Sequence, residues 1–278
     1  MARELSFAQI VERSIIKKYR KDIWNPFIAA VQRYKLIDEG DKIAVCISGG
    51  KDSMLMAKLI QQLCRTSQVP FEAVYLVMDP GYNPENRKKI EDNAKKMEIP
   101  VTVFETDIFE VADSVDQSPC YLCARMRRGH LYAKAQEMGC NKIALGHHMN
   151  DVIETTLMGM MYGSQIQGML PRLKSTNFPG MELIRPMFCI REKSIISWAR
   201  YNSLDFIACA CKFTENAEKE KFESLSKRKE TKELIETLSN VNPDIEHNLF
   251  MSLHNVCLDT LIEYKQKGEK HSFLENFE

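Results

Sequence analysis

The chain has 278 residues, 44% of them hydrophobic and 27% charged, with 38 Lys+Arg against 38 Asp+Glu. That composition excludes a disordered polymer for most of the chain, and no apolar run is long enough to span a bilayer. Zero net charge does not exclude a nucleic-acid partner, because the charge is uneven. Residues 1–35 carry eight Lys/Arg against three acids, and residues 212–278 carry ten against fourteen. The opening MARELSFAQI lacks the apolar stretch of a signal peptide, so a cytoplasmic protein is expected. Its nine cysteines are then reduced, and a close pair reads as metal or catalysis before disulfide.

The first 35 residues read as a basic helix, with Arg13, Lys17, Lys18, Arg20 and Lys21 as its cations. IAVCI (43–47) is a short apolar run ended by SGG, the pattern of a strand buried on both faces of a parallel sheet. Met54, Leu55, Leu59, Ile60 and Leu63 then recur at helical spacing. FEAVYLVM predicts a second strand, and Asn83-Pro84 an N-cap and first residue of a helix with Ile90, Ala94 and Met97 buried. VTVFET predicts a third strand, Cys123 to Met138 a helix, and KIALGHH a fourth strand. Asn150 or Asp151 is expected to cap a helix to about Tyr162, with Met158, Met160 and Met161 as core. A Gly-punctuated loop (163–171), a short strand LIRPM, a helix Glu192 to Tyr201 and an extended DFIACAC follow. The rest is charged and helical, broken at Asn242-Pro243. Alternating strands and helices predict an α/β fold, a five-stranded type of parallel sheet flanked by helices, with helical extensions at both ends. The expected divisions are 1–36 (basic helical segment), 37–208 (nucleotide domain) and 209–278 (cysteine segment and helices).

SGGKDS, Ser48 to Ser53, lies between the first strand and its helix. Ligands of parallel sheets bind beyond the carboxyl ends of strands. Gly49 and Gly50 let backbone approach an anion, the helix start offers N–H groups, Ser48 and Ser53 add hydroxyls, and Lys51 adds a charge. The stretch is neither a Walker A loop nor GxGxxG; the competing reading is an ordinary strand-to-helix turn. In LGHHMND, Gly146, His147 and Asp151 fall at the same sheet edge and are expected to line the ATP pocket, where an Asp suits magnesium between phosphates. Alone, the two histidines read as a satisfied pair at a strand end.

SPCYLCARMRRG sets Cys120 and Cys123 two residues apart, followed by Arg125, Arg127 and Arg128. Two thiolates complete neither a zinc site nor a cluster; Cys209 and Cys211 are the candidates for completion. Four thiolates would close a tetrahedral zinc. Three would hold a [4Fe-4S] cluster with one iron left open. Spacing alone favours zinc. Cys46, Cys64, Cys140 and Cys257 read as small hydrophobes, and Cys189 is an outside candidate.

SGGKDS resembles the pyrophosphate loop of the N-type ATP pyrophosphatases, in which an adenylate forms and pyrophosphate leaves. The resemblance implies that Ser48 to Ser53 grip ATP phosphates, that Asp52 orients the loop or holds Mg2+, and that adenine lies near 44–47 and 77–79, with Asp79 in reach. The succession SGGKDS, CYLCARMRRG, NKIALGHHMNDVIETTLMGMMYG, IRPM, REK and PDIEHNLFMSLHNV resembles the tRNA 2-thiocytidine synthetases, the TtcA family, over most of the chain. That resemblance implies ATP-dependent replacement of the C2 oxygen of cytidine 32 in the anticodon loop by sulfur. It also implies a [4Fe-4S] cluster on Cys120, Cys123 and Cys209. Two departures stand out: CAC replaces a second CxxC, leaving Cys209 against Cys211 open and zinc alive, and Ser164, Gln165 and Gln167 stand where lysines are usual. The implied cofactors are ATP, Mg2+ and the cluster, with Cys120, Cys123, Lys51 and Asp52 catalytic. The implied partners are a tRNA anticodon loop, met by Arg125, Arg127, Arg128 and the basic first helix, and a cysteine desulfurase or other sulfur donor. A homodimer is the candidate assembly. The competing functions are thiolation of a uridine and a zinc-stabilised nucleotide-binding protein without catalysis; lysidine formation needs no cysteines.

Overall fold

The computed structural model describes residues 4–106, 108, 119–207 and 220–277. The described chain divides into two compact units, Met1–Lys229 and Glu230–Glu278.

The first unit is built on one sheet in the order β3-β2-β1-β4-β6-β5. Its strands are β1 (Lys42–Ile47), β2 (Glu72–Asp79), β3 (Val101–Glu105), β4 (Lys142–Ala144), β5 (Arg172–Lys174) and β6 (Glu182–Ile184). Five run parallel, as the alternating pattern predicts, with Val45 opposite both Tyr75 and Ala144. The sixth, β5, pairs antiparallel with β6 at the edge. The sequence pattern predicts no strand there, because the three residues RLK, two of them charged, carry no period. The central β1 is buried from Ile43 to Ile47, as a strand covered on both faces must be.

Helices cover both faces: α1 (Phe7–Arg13), α2 (Asn25–Arg33), α3 (Lys51–Thr66), α4 (Pro84–Lys96), α5 (Pro119–Glu137), α6 (Met149–Gly163) and α7 (Glu192–Tyr201). Asn83 caps α4 through its side chain and Pro84 opens it, as expected. For α6 the expected cap is corrected. His148 is the N-cap, and Asp151 completes a reciprocal capping box from the third helical position. Histidine is an uncommon cap, so the pattern Asn150/Asp151 points two to three residues too late.

Between α1 and α2 the chain passes through two wide turns, Ser14–Lys18 and Arg20–Trp24. This N-terminal segment is part of the core of the first unit. Val11, Ile15, Ile23 and Phe27 are buried in the same cluster as Leu55, Leu59, Ile195 and Trp198. Glu12 pairs at 2.6 Å with Lys58, whose side chain is 1% exposed and also donates to the Met97 carbonyl. Arg13, Lys17, Lys18, Arg20 and Lys21 all stay exposed. Amphipathicity thus docks one face and leaves the basic face in solvent.

The expected core role of the methionines at the end of α6 is overturned for Met160 and Met161, which are 48% and 42% exposed. The buried residues of α6 all lie in its first eight positions, from Met149 to Thr156, so its last turn adds none. Residues 204–207 form no strand; the rest of the expected extended segment lies outside the described residues. Helix α8 (Glu220–Val241) leads from the first unit into the second. The second unit adds α9 (Ile245–Ser252) and a hairpin of β7 (Glu263–Gln266) and β8 (Glu269–Ser272), turned at Lys267-Gly268. The helices and their break at Asn242-Pro243 were legible in the sequence; the hairpin was not. Among the described residues no helix is long and apolar enough to cross a membrane.

Candidate active site

Beyond the carboxyl ends of β1 and β4 lies a cavity of about 480 Å3. Ser48, Asp52 and Ser53 line it from the phosphate loop, Gly146, His147 and Asp151 from the β4–α6 turn, and Arg127, Arg128 and Leu131 from α5. These three segments were separate motifs in the sequence, and one cavity joins them.

Two glycines make the approach close. Gly49 has φ +85°, and a Cβ there would fall 2.5 Å from Ile90 Cγ1, so no side chain fits. A Cβ on Gly146 would lie 3.2 Å from the Ser53 nitrogen and 3.3 Å from the Asp52 carbonyl carbon. The β4–α6 turn therefore packs directly on the first turn of α3. Helix α3 begins at N-cap Gly50 with no side-chain cap, so its start presents backbone dipole to the cavity. Ser53 Oγ accepts from the Ser48 N–H at 3.2 Å and donates to the Gly50 carbonyl at 3.0 Å, closing the loop on itself.

Lys51 pairs with Asp52 and with Glu192, each at 3.1 Å. Burial pulls its pKa down, but the two carboxylates outweigh this and hold it above the ordinary lysine value. It lines a second, smaller cavity of about 290 Å3 with Asp52 and residues of α7. Asp52 touches both cavities. Its Oδ2 meets Lys51, while Oδ1 is buried without a hydrogen-bond partner, 3.8 Å from His148 Nε2.

The adjacent histidines separate, as expected of neighbours at a strand end. His148 is buried and structural: its Nδ1 accepts from the Asp151 N–H, and its own N–H donates to Asp151 Oδ2 at 2.9 Å. His147 lines the cavity with Nδ1 buried and unpartnered. Burial, and then the nearby Arg185 guanidinium, push its pKa down to about 4. It stands there as a neutral imidazole at pH 7.

Asp79 is engaged elsewhere. Its Oδ1 accepts from the Gly81 and Tyr82 N–H groups and its Oδ2 from Arg87. Burial raises its pKa, and these bonds more than reverse the effect. The neighbouring Met78 and Tyr82 line the cavity in its place.

Cys120 and Cys123 occupy the first turns of α5, one turn apart, with Arg127 and Arg128 one to two turns further on. Arg125 is exposed and does not line the cavity. Cys209 and Cys211 lie outside the described residues. Among the described residues no cluster of three metal-ligating side chains occurs. Cys46 lines the cavity floor with its thiol pushed up to about 12 by burial, and so is inert. The outside candidate Cys189 sits half-buried against the Tyr34 hydroxyl, 3.9 Å away, and burial raises its pKa.

Two cationic groups at this site escaped the sequence reading. Arg228 of α8 lines the cavity and pairs with Glu154 at 3.2 Å and Asp151 at 4.0 Å. It comes from a charged helix with no motif around it. Arg185 stands directly after β6, and its charge reaches His147 and Arg128. Its signal is the IRPM stretch, whose pattern predicts a strand and no site.

A family model described as a PP-loop domain matches residues 17–219. The tRNA-cytidine(32) 2-sulfurtransferase of Citrifermentans bemidjiense is 36% identical over 231 residues, 82% of this chain and 87% of its own. That of Geotalea daltonii is 33% identical over 263 residues, 93% of this chain and 99% of its own. The U34-tRNA thiolase of Methanococcus maripaludis, solved with its [4Fe-4S] cluster, superposes with a TM-score of 0.65. It shares 18% identity over 87% of this chain and 80% of its own, a likeness of fold. The chain belongs to the PP-loop family and, within it, to the family of the tRNA-cytidine(32) 2-sulfurtransferases.

Proposed function

We propose that this protein thiolates tRNA with ATP, adenylating the C2 oxygen of cytidine 32 and exchanging that oxygen for sulfur. The observation that carries the reading is the single cavity on which the SGGKDS loop, His147, Asp151 and the helix of Cys120 and Cys123 converge. The names of the relatives support the choice of base.

The C2 oxygen attacks the α-phosphorus of ATP, and pyrophosphate leaves. Ser48, Ser53, the start of α3 and Lys51 would hold and neutralise the leaving pyrophosphate. A sulfur nucleophile at the hydrosulfide level, delivered by a cysteine desulfurase or another donor, adds at C2. AMP departs with the former oxygen, and loss of the sulfur-bound proton leaves the C2=S bond. Neutral His147 at the cavity wall adds no cation and can accept that proton. Asp52, which lines both cavities and has an unpartnered Oδ1, fits a hard oxygen ligand of Mg2+ beside phosphates. The thiol donor set fits an iron–sulfur cluster on Cys120, Cys123 and one of Cys209 or Cys211, which would supply a coordination position for the incoming sulfur.

Mass analysis of tRNA nucleosides made by the anaerobically purified protein tests the reading. Appearance of 2-thiocytidine is expected; 2-thiouridine instead, or no thionucleoside, overturns it. Cys120→Ala is expected to lower thiolation at least ~100-fold with ATP affinity kept. Loss of both together would mark a structural metal. Brown protein with iron and acid-labile sulfide supports the cluster, and colourless protein with one zinc rejects it.

A further inference from the structure

We propose that Arg185 and Arg128 form a second anion site at the rim of the cavity, which takes a backbone phosphodiester of the RNA beside the reacting nucleotide. The proposal rests on the reading of the chain as a tRNA thiolase and names the residues that hold its substrate in place.

Arg185 sits where β6 ends. Leu145, a cavity residue, donates its N–H to the Ile184 carbonyl at 3.0 Å, so Arg185 continues the carboxyl edge beside the Gly146-His147 turn. Its own N–H donates to the Pro171 carbonyl at 2.9 Å, and its Nη1 donates to the Leu170 carbonyl. The guanidinium is thereby held at the edge by backbone alone. Its Nε is buried without a hydrogen-bond partner. No described carboxylate pairs with Arg185 or with the exposed Arg128.

Arg128 lines the cavity from α5, and Tyr132, one turn further along the same helix, is stacked on Phe178 at 5.0 Å. The charges of both arginines reach the Tyr132 hydroxyl. Burial first, and then Arg128, push the Arg185 pKa down to about 10, with Tyr132 and Asp151 opposing. A half-buried guanidinium that feels a second positive charge is costly unless an anion joins them. Two planar forks suit the oxygens of a phosphate. Arg228 differs, since Glu154 and Asp151 already neutralise it.

A phosphate could come from ATP or from RNA, and position favours RNA. The phosphate loop follows β1, while Arg185 follows β6, two strands away across β4. At ~4.8 Å per strand that is about 10 Å. In an in-line displacement the nucleophile enters opposite the leaving group. Pyrophosphate leaves on the side of Ser48 to Ser53, so the RNA enters from the side of β6 and α5.

The test compares wild type with Arg185→Gln and Arg185→Lys by titrating a fluorescent tRNA anticodon stem-loop at several salt concentrations, and by calorimetric titration of ATP. Arg185→Gln is expected to weaken stem-loop binding about 10-fold and to make the slope of log K against log[salt] shallower by about one. ATP affinity stays within about twofold, and Arg185→Lys keeps the salt slope. Where Arg185→Gln does not melt like wild type, the exposed Arg128→Gln carries the same readouts. Unchanged stem-loop affinity and slope would overturn the proposal, as would a loss confined to ATP, which would assign the anion to the polyphosphate. Wild type that binds no stem-loop brings down the thiolase reading together with this one; wild type that binds while both variants bind equally brings down this one alone.

Discussion

The two ends of the sheet treat buried charge in opposite ways. At the amino end of β4, Lys142 is 2% exposed and fully used. It donates to Asp41 at 2.6 Å, to Asp38 at 2.8 Å and to the Leu36 carbonyl at 3.2 Å. Asp41 is 4% exposed and also accepts from the Asp38 N–H and from Asn141. Arg172 closes the network by binding Asp38 and Glu182. At the carboxyl end, Asp52 Oδ1, His147 Nδ1 and Arg185 Nε are buried and unpartnered. A satisfied network ties the N-terminal loop to the sheet and needs nothing from outside. An unsatisfied one costs stability and is kept where a ligand repays it.

That contrast is breakable by mutation. The largest effect is expected at the satisfied end. Lys142→Met leaves Asp41 buried without its cation and should cost about 3–5 kcal/mol of unfolding free energy. Urea denaturation measures it, and ATP affinity of the folded fraction should not change. A loss under 1 kcal/mol would mean that the network does not carry the fold.

Asp52→Asn should do the reverse. Its partners are a lysine and an empty hydrogen-bonding position, so stability should move by less than about 0.5 kcal/mol. Affinity for Mg–ATP, read by calorimetry, should fall at least ~10-fold, which is about 1.4 kcal/mol. Equal affinity would remove Asp52 from the metal role.

Protonation of His147 comes next. Its folded pKa is about 4 against 6.5 unfolded, so the unfolded chain binds the proton first as pH falls. The stability tied to neutral His147 is complete above pH 6.5 and is lost between about 6.5 and 4, at no more than ~1.4 kcal/mol per pH unit. His147→Asn should flatten this part of the stability–pH profile; an unchanged profile would mean another group titrates there. The smallest effect belongs to the exposed basic face. Lys17→Gln and Lys21→Gln should each shift stability by less than about 0.5 kcal/mol and show only in the salt dependence of tRNA binding.

Much of this was readable before folding. The parallel strands followed from continuous apolar runs, and Asn83-Pro84 and Glu192 marked helix starts correctly, because periodicity and capping are local. The cap His148 escaped because histidine is an uncommon cap, and the terminal hairpin because its two four-residue strands are largely polar and carry no apolar alternation. The edge strand β5 escaped because its pairing with β6 lies up to twelve residues away. Met160 and Met161 misled because their hydrophobicity is local, but whether anything covers the last turn of α6 is not.

The sequence by itself determined the alternation of strands and helices, the phosphate loop between β1 and α3, and the family resemblance, all carried by short contiguous motifs. Only the tertiary structure decided that the arginines of the cysteine helix share one cavity with SGGKDS and LGHHMND. It alone drew Lys51 towards Glu192, set Asp79 to closing its own loop, and brought in Arg185 and Arg228. The physical reason is that a parallel sheet aligns the ends of strands far apart in sequence, so which charges meet is settled by strand order and not by spacing along the chain.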